Sequence, residues 1–428
     1  MRLFIRPDRS KWSSILQRPT RSTLDMMGVV DPIFVAVRER GDEALREFTL
    51  QFDGTQIDAI KIQPDELEAS KSHVDEALKK ALRTAAANIE TFHRAQLVEE
   101  AAIETIPGVT CWRKNLPIEK VGLYVPGGSA PLVSSVLMLG IPARIAGCSE
   151  IALCTPPRSD GSIDPAILFA AKLVGVTNIF RVGGAQAVAA LAYGTESVPA
   201  VYKICGPGNQ YVNAAKLRAS LEGVATDMPA GPTEVAIVVD ESCPAEFVVY
   251  DALAQAEHGP DSHVVVVTFS EEYARSLTSK IDKAVDAIQR SDAARSALGG
   301  SVCVVLSTAD DAIDLCNKYA PEHLILATRD AEDMAGKVRA AGSVFVGVMS
   351  PESAGDYASG TNHTLPTGGA ARAYSGVSVD SFVNKVTFQR LSRDGIRNLG
   401  PTIMTLAEAE GLTAHAQAVS VRLEAVES

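Results

Sequence analysis

VGLYVPGGSAPLVSSVLMLGIPARIAGCSEIALCT (121–155) sets the pattern of the fold. Val121–Val125 is a short β-rich run, Leu132–Ala146 an apolar helical run and Ile151–Thr155 a second β-rich run. Strand, helix and strand in that order predict a parallel pair joined by a crossover helix. The rhythm continues with a helix at Asp164–Leu173, a strand at Ile179–Val182, a helix at Ala185–Ala192, a strand at Val201–Cys205 and a helix at Asn209–Leu221. A second series begins at Glu234–Val239 and runs through Ala245–Glu257, Val264–Phe269, Glu271–Ile288, Val302–Leu306 and a helix from Asp310. Leu324–Leu326 and Val344–Val346 read as its last strands. The pattern is α/β, with parallel sheets covered by helices on both faces. Two such sections predict two lobes, and the cleft between lobes is a usual place for a ligand.

The flanks read differently. Asp31–Phe48 and Pro64–Leu97 carry apolar residues at helical spacing, with one strand-like break at Ile57–Ile62. Pro351–Gly376 is rich in Gly, Ser, Thr, Asn and Pro, so a long functional loop is expected there. After Asp380 the chain reads as helical to Ser428.

The 428 residues carry 40 Lys+Arg against 52 Asp+Glu, a net charge of −12, which argues against nucleic acid or an anionic membrane as partner. The most apolar stretch, Pro131–Gly147, contains Ser134, Ser135, Pro142 and Arg144 and is too short to span a bilayer. The N-terminal residues MRLFIRPDRSKW lack the apolar core of a signal peptide. Seven cysteines with no CxxC pair predict reduced thiols and a cytoplasmic protein.

Three turns each follow a predicted strand and precede a helix: Val125-Pro126-Gly127-Gly128-Ser129, Val182-Gly183-Gly184-Ala185-Gln186 and Cys205-Gly206-Pro207-Gly208-Asn209. Small residues there let backbone N–H groups approach a phosphate at a helix N-terminus. Any one of them also serves as an ordinary tight βα turn. Three in adjacent units favour a shared ligand.

Histidine is scarce, at seven residues. His73 and His93 lie on charge-rich helices and are expected at the surface. Gln255 and His258, three apart, end a helix before Gly259-Pro260. With Asp356 in the polar loop and His415 on the last helix, they offer two imidazoles, a carboxylate and an amide oxygen, a set suited to a borderline cation such as zinc. The same Gln and His also fit an ordinary polar helix end. Glu322-His323 follows Pro321, where a helix passes into a strand, and an adjacent Glu and His can share acid–base work on one substrate. Cys316 fits a helix core position better than a nucleophile.

Eight segments together resemble the histidinol dehydrogenase family over nearly the whole chain: VGLYVPGGSAPLVSSVLMLGIPA (121–143), RVGGAQAVAALAYGT (181–195), KICGPGNQYVNAAK (203–216), MPAGPTE (228–234), AQAEHGP (254–260), YAPEHL (319–324), ESAGDYASGTNHTLPT (352–367) and EAEGLTAHAQAV (408–419). The resemblance implies oxidation of L-histidinol to L-histidine through the aldehyde by two successive NAD+, with one Zn2+ per subunit. It implies an aldehyde-dehydrogenase-like α/β fold of two incomplete Rossmann-like lobes with helical N- and C-terminal extensions. The implied division is an N-terminal segment 1–24, a lobe of 25–120 and 233–375 carrying the catalytic and metal residues, an NAD lobe 121–232, and a C-terminal extension 376–428 reaching the partner subunit of a homodimer.

Matched position by position, the family's zinc ligands fall on Gln255, His258, Asp356 and His415, and its catalytic pair on Glu322 and His323. Its NAD contacts fall on Tyr124, Gln186 and Asn209. Substrate contacts fall on Thr233, His363 and Glu410 as well as Gln255, His258, His323, Asp356 and His415. Glu410 and His415 are implied to serve the partner's site. Two positions depart from the family pattern: Thr233 stands where Ser is common, and Gly259 where Asp is usual. A related zinc- and NAD-dependent dehydrogenase of another small alcohol, such as a sulfonated propanediol, is the second reading. A metal-dependent hydrolase and a two-lobed binding protein are further ones, but the hydrolase leaves the three glycine turns unexplained.

Overall fold

The computed structural model describes residues 1–19, 26–127, 131–229 and 231–427. Gly128 and Ser129 of the first glycine turn, and residues 20–24 of the N-terminal segment, lie outside the described residues.

The first lobe is built on five parallel strands in the order Asn178–Arg181, Glu150–Thr155, Lys120–Tyr124, Lys203–Cys205 and Ala225–Thr226. Val133–Ala146 and Pro165–Leu173 cover one face, and Gly184–Tyr193 and Gln210–Leu221 the other. The second lobe is built on six parallel strands: Arg2–Ile5, Val302–Val305, His263–Thr268, Glu234–Val239, His323–Ala327 and Ser343–Val346. Its central strands alternate between two cores, Val235, Ile237 and Val239 facing one and Ala236 and Val238 the other. That is why they read as unbroken apolar runs rather than as alternation.

The α/β class, the two parallel sheets and the helical coverage stand as expected. Several details do not. Arg2–Ile5 is a strand, pairing in parallel with Val302–Val305. Arg18 adds a buried ion pair with Glu234, so the described N-terminal residues belong to the second lobe and not to a separate segment. Met27–Arg40 and Glu76–Arg94, expected with the catalytic lobe, pack on the two faces of the five-stranded sheet instead. The apolar residues Ile33, Phe34 and Ile89 find their partners there. His93 is fully buried, not exposed, and its Nδ1 lies 2.8 Å from the Ile89 carbonyl oxygen.

The stretch after Asp380 is not continuously helical. Val383–Leu391 is a strand paired antiparallel along its whole length with Val109–Pro117, which pairs in turn with Ile103–Ile106. This three-stranded arm carries two helices, Arg393–Ala409 and Thr413–Glu427, packed on each other. Gly108 turns the first hairpin at φ +84°, and a Cβ there would collide with the backbone of Gly395. The expected long loop contains a short α-helix, Glu352–Tyr357, and a single 3-10 turn, Ala370–Arg372.

Candidate active site

The two sheets present opposite ends to the cleft. The first sheet offers the C-terminal ends of its strands: Tyr124 ends one, and the turns at Gly183 and Gly206 leave two others. This is the usual ligand edge of an open parallel sheet. The second sheet offers the N-terminal ends. Thr233 precedes Glu234–Val239, His258 precedes His263–Thr268, and Glu322 precedes His323–Ala327.

A tight chain reversal places the Glu–His pair. Helix Ala309–Tyr319 ends at Ala320, which takes a left-handed conformation (φ +52°) and donates its N–H to the Cys316 carbonyl at 2.7 Å. A residue with a Cβ pays roughly 1–2 kcal/mol for that conformation. Pro321 follows, and the chain then enters the strand with Glu322 and His323 both buried.

Glu322 Oε2 accepts hydrogen bonds from the Thr233 hydroxyl at 2.6 Å and the Glu234 N–H at 3.0 Å. Burial raises its carboxyl to about 7, although His323 and these donors oppose the rise. His323 is ringed by carboxylates. Its Nδ1 lies 3.6 Å from Glu352 Oε1 and 3.8 Å from Glu322 Oε2, and its Nε2 lies 3.3 Å from Asp356 Oδ1. Burial alone would depress the imidazole, but Glu352, Glu322 and Asp356 together raise it to about 10. In the other direction, His323, His258 and His363 hold Asp356 below the usual carboxylate range against its own burial.

Gln255 is fully buried in the last turn of helix Ala245–Ala256. Its Nε2 donates to Thr233 Oγ1 at 2.9 Å, while its Oε1 is buried without a partner. Thr233 therefore ties Gln255 to Glu322 through its hydroxyl, and its extra methyl leaves that link intact. His258 lies just past the helix end, exposed at the mouth of the site. Ligand atoms of His258, Glu352 and Asp356 all come within 4.8 Å of one another. An imidazole and two carboxylates this close, with an orphaned amide oxygen on Gln255 three residues before His258, fit a borderline divalent cation. At Gly259, a Cβ would stand 2.9 Å from Asp261 Oδ1, so a carboxylate two residues on occupies that space.

His363 bridges the lobes. Its Nδ1 lies 2.8 Å from the Asp356 carbonyl oxygen and its Nε2 3.0 Å from the Ser135 hydroxyl of the first lobe. Thr233, His258, Glu322, His323, Asp356 and His363 line one cavity of about 140 Å³ between the lobes.

Glu410 and His415 do not join it. Both are exposed, Glu410 at the end of Arg393–Ala409, which packs on the three-stranded arm, and His415 on Thr413–Glu427, which packs on Arg393–Ala409. Glu352 was missed by sequence reasoning. It is 1% exposed and sits one helical turn before Asp356, on the same helix face. That i, i+4 spacing was a usable signal, hidden because the segment read as loop.

Tyr124, Gln186 and Asn209 line a second cavity of about 730 Å³ on the first lobe. The buried Tyr124 hydroxyl accepts the Gly184 N–H at 3.2 Å. Gln186 Oε1 is buried without a partner, and Asn209 Oδ1 caps the following helix through the N–H groups of Tyr211 and Val212. Gly206, at φ +140°, lies so close to Tyr124 that a Cβ would fall on its carbonyl oxygen. Backbone packed this closely beside an unpaired amide suits a dinucleotide.

The family described as histidinol dehydrogenase matches residues 16–423. A histidinol dehydrogenase of Bacteroides fragilis is 51% identical over 426 residues, all of both chains, and one of Xanthomonas axonopodis pv. citri is 49% identical over 97% of both. The crystal structure of histidinol dehydrogenase from Elizabethkingia anophelis superposes with a TM-score of 0.97 at 48% identity, covering 100% of this chain and 99% of that one.

Proposed function

The chain belongs to the histidinol dehydrogenase family, and on that premise we propose that it oxidises L-histidinol to L-histidine through the aldehyde, with NAD+ and one zinc ion per subunit. The observation that carries this reading is the buried Glu322–His323 pair, hydrogen-bonded through Thr233 to Gln255 and set beside His258 and Asp356. The named relatives do not favour a sulfonated diol as substrate.

Gln255, His258 and Asp356 would hold the cation, with the fourth ligand, His415, coming from a second copy of the chain. Glu410 of that copy would reach the substrate in the same way. Exposed Ile103, Leu406, Leu412 and Val421 on the arm and its helices support a homodimer that buries them. Tyr124, Gln186 and Asn209 would hold NAD+. When bound, zinc would grip the substrate's imidazole and amine, and the nicotinamide would accept hydride. Seven unpaired cysteines fit a cytoplasmic enzyme, and no described helix is long and apolar enough to cross a membrane.

His323 takes the alcohol proton as the first hydride leaves the substrate carbon. Its ring is held between Glu352 on the Nδ1 side and Asp356 on the Nε2 side. Asp356, holding a divalent cation, would place positive charge beside the ring and so favour the neutral imidazole that acts as base. His363 ties the Asp356 backbone to Ser135, so the two lobes meet at the site. Glu322 then takes a proton from the water that adds to the aldehyde. His323, having released its first proton to solvent, accepts the hydrate proton as the second hydride leaves.

The direct test is an assay with L-histidinol and NAD+, which should form about two NADH per histidine. One NADH with accumulating aldehyde would contradict the account. Glu322→Gln should slow aldehyde oxidation about a hundredfold while alcohol oxidation falls far less. Equal losses in the two half-reactions, measured separately with each substrate, would remove the separate roles.

A further inference from the structure

Around the 730 Å³ cavity the charged side chains are Asp53, Arg158 and Asp164. Two of them answer each other, Arg158 donating to Asp164 Oδ2 at 2.5 Å. Asp53 differs. It ends the turn Thr49–Asp53, with Gly54 behind it in a left-handed conformation (φ +69°). Its Oδ2 is sealed from solvent and has no hydrogen-bond partner, and no ion pair to it occurs among the described residues. Burial with no compensating donor pushes its carboxyl up to about 6. A carboxylate kept in that condition beside an open cavity is short of donors.

Its place in the fold gives the donors an identity. In doubly wound nucleotide folds, the acid that reads the adenosine ribose stands at the end of the strand following the phosphate turn. Here that strand is Glu150–Thr155, next to Lys120–Tyr124 in the sheet. It runs out into Pro156-Pro157-Arg158-Ser159, with no acid in those four residues. Asp160, the first acid beyond them, is exposed and engaged by the N–H and hydroxyl of Ser162. The helical layer supplies the missing group. The Thr55 hydroxyl lies 3.2 Å from the Asp53 carbonyl oxygen and 3.1 Å from that of Arg158, which fastens the Asp53 turn to this strand end.

We propose that Asp53 sets cofactor specificity: its carboxylate accepts the adenosine ribose hydroxyls and repels a 2′-phosphate, so the enzyme prefers NAD+ to NADP+. The inference rests on the large cavity being the dinucleotide site. Arg158 would otherwise attract a 2′-phosphate, but Asp164 already balances its charge. The preference thus combines a hydrogen bond gained by one dinucleotide with a like-charge contact imposed on the other.

The test measures kcat/KM for NAD+ and NADP+ at saturating L-histidinol in the wild-type holoenzyme, Asp53→Asn, Asp53→Ala and Gln186→Ala. Both Asp53 variants should lower the NAD+/NADP+ ratio by about tenfold or more, through the dinucleotide KM and not through kcat or the histidinol KM. Asp53→Asn keeps the side chain's size, so a folding defect confined to Asp53→Ala would leave the test intact. An unchanged ratio in Asp53→Asn, with a raised NAD+ KM in Gln186→Ala, would overturn the role of Asp53 and leave the cavity assignment standing. An unchanged NAD+ KM in all three variants would overturn the cavity assignment and the proposal with it.

Discussion

His323→Ala is expected to lower kcat for both oxidations by about a hundredfold or more, the scale of a positioned general base. The same nitrogen would receive the alcohol proton and later the hydrate proton, so neither half-reaction escapes. Metal and NAD+ binding should survive, because His323 is not among the proposed zinc ligands or NAD+ contacts. The loss should therefore appear mainly in kcat, with a smaller rise in the histidinol KM from the lost substrate contact. The variant also removes the imidazole that Glu322, Glu352 and Asp356 surround. Three carboxylates left facing one another repel, so His323→Gln is the better control for folding. Stopped-flow measurement of NADH formation, started once from L-histidinol and once from the aldehyde, checks both steps. A near-native rate in either step would show that His323 is not its base.

Mixing two proteins that each form little histidine should restore histidine formation. Glu322→Gln disables the acid–base pair in its own chain. His415→Asn disables the ligand that its chain lends to the partner. In a mixed dimer, one site then receives an intact Glu322 from one chain and an intact His415 from the other, while the second site receives both defects. Random exchange makes half of the dimers mixed, each with one good site, so recovery should approach about a quarter of wild-type activity. Exchange is verified by native mass spectrometry on differently tagged chains. Verified exchange with no recovery would mean that each chain builds its site alone. Glu322 is buried at the cavity, while His415 is exposed on a helix that packs on Arg393–Ala409, away from its own chain's cavity.

The strands that position the site were legible because they are apolar on both faces. Glu234–Val239 is bounded as its residues predict, and the other strands expected in the two sheets lie within two residues of expectation, while the two-residue edge strand Ala225–Thr226 is too short to leave a pattern. Arg2–Ile5 escaped notice because it is a four-residue, half-exposed edge strand whose partner lies three hundred positions away. Val383–Leu391 escaped because an arm with polar faces leaves no apolar period: Asn384, Lys385, Thr387 and Gln389 interrupt it. His93 was misplaced because the charges around it describe the rest of its helix, not its own face.

At the site, the pairing of Gln255 with His258 and of Glu322 with His323 could be read from local spacing. Their convergence could not, because it depends on how the second sheet presents the N-terminal ends of its strands. Glu352 became visible only once 352–357 formed a helix. Glu410 and His415 rest on family resemblance alone, since no local pattern announces a residue that works in another subunit.

The central claim is that two copies of the chain complete one zinc site. It is tested most directly by diffraction across the zinc absorption edge from crystals grown with zinc and L-histidinol. The account predicts one anomalous peak per subunit, within bonding distance of Gln255, His258 and Asp356 of one chain and His415 of the other. A peak ligated entirely within one chain, with His415 remote from it, would contradict the account.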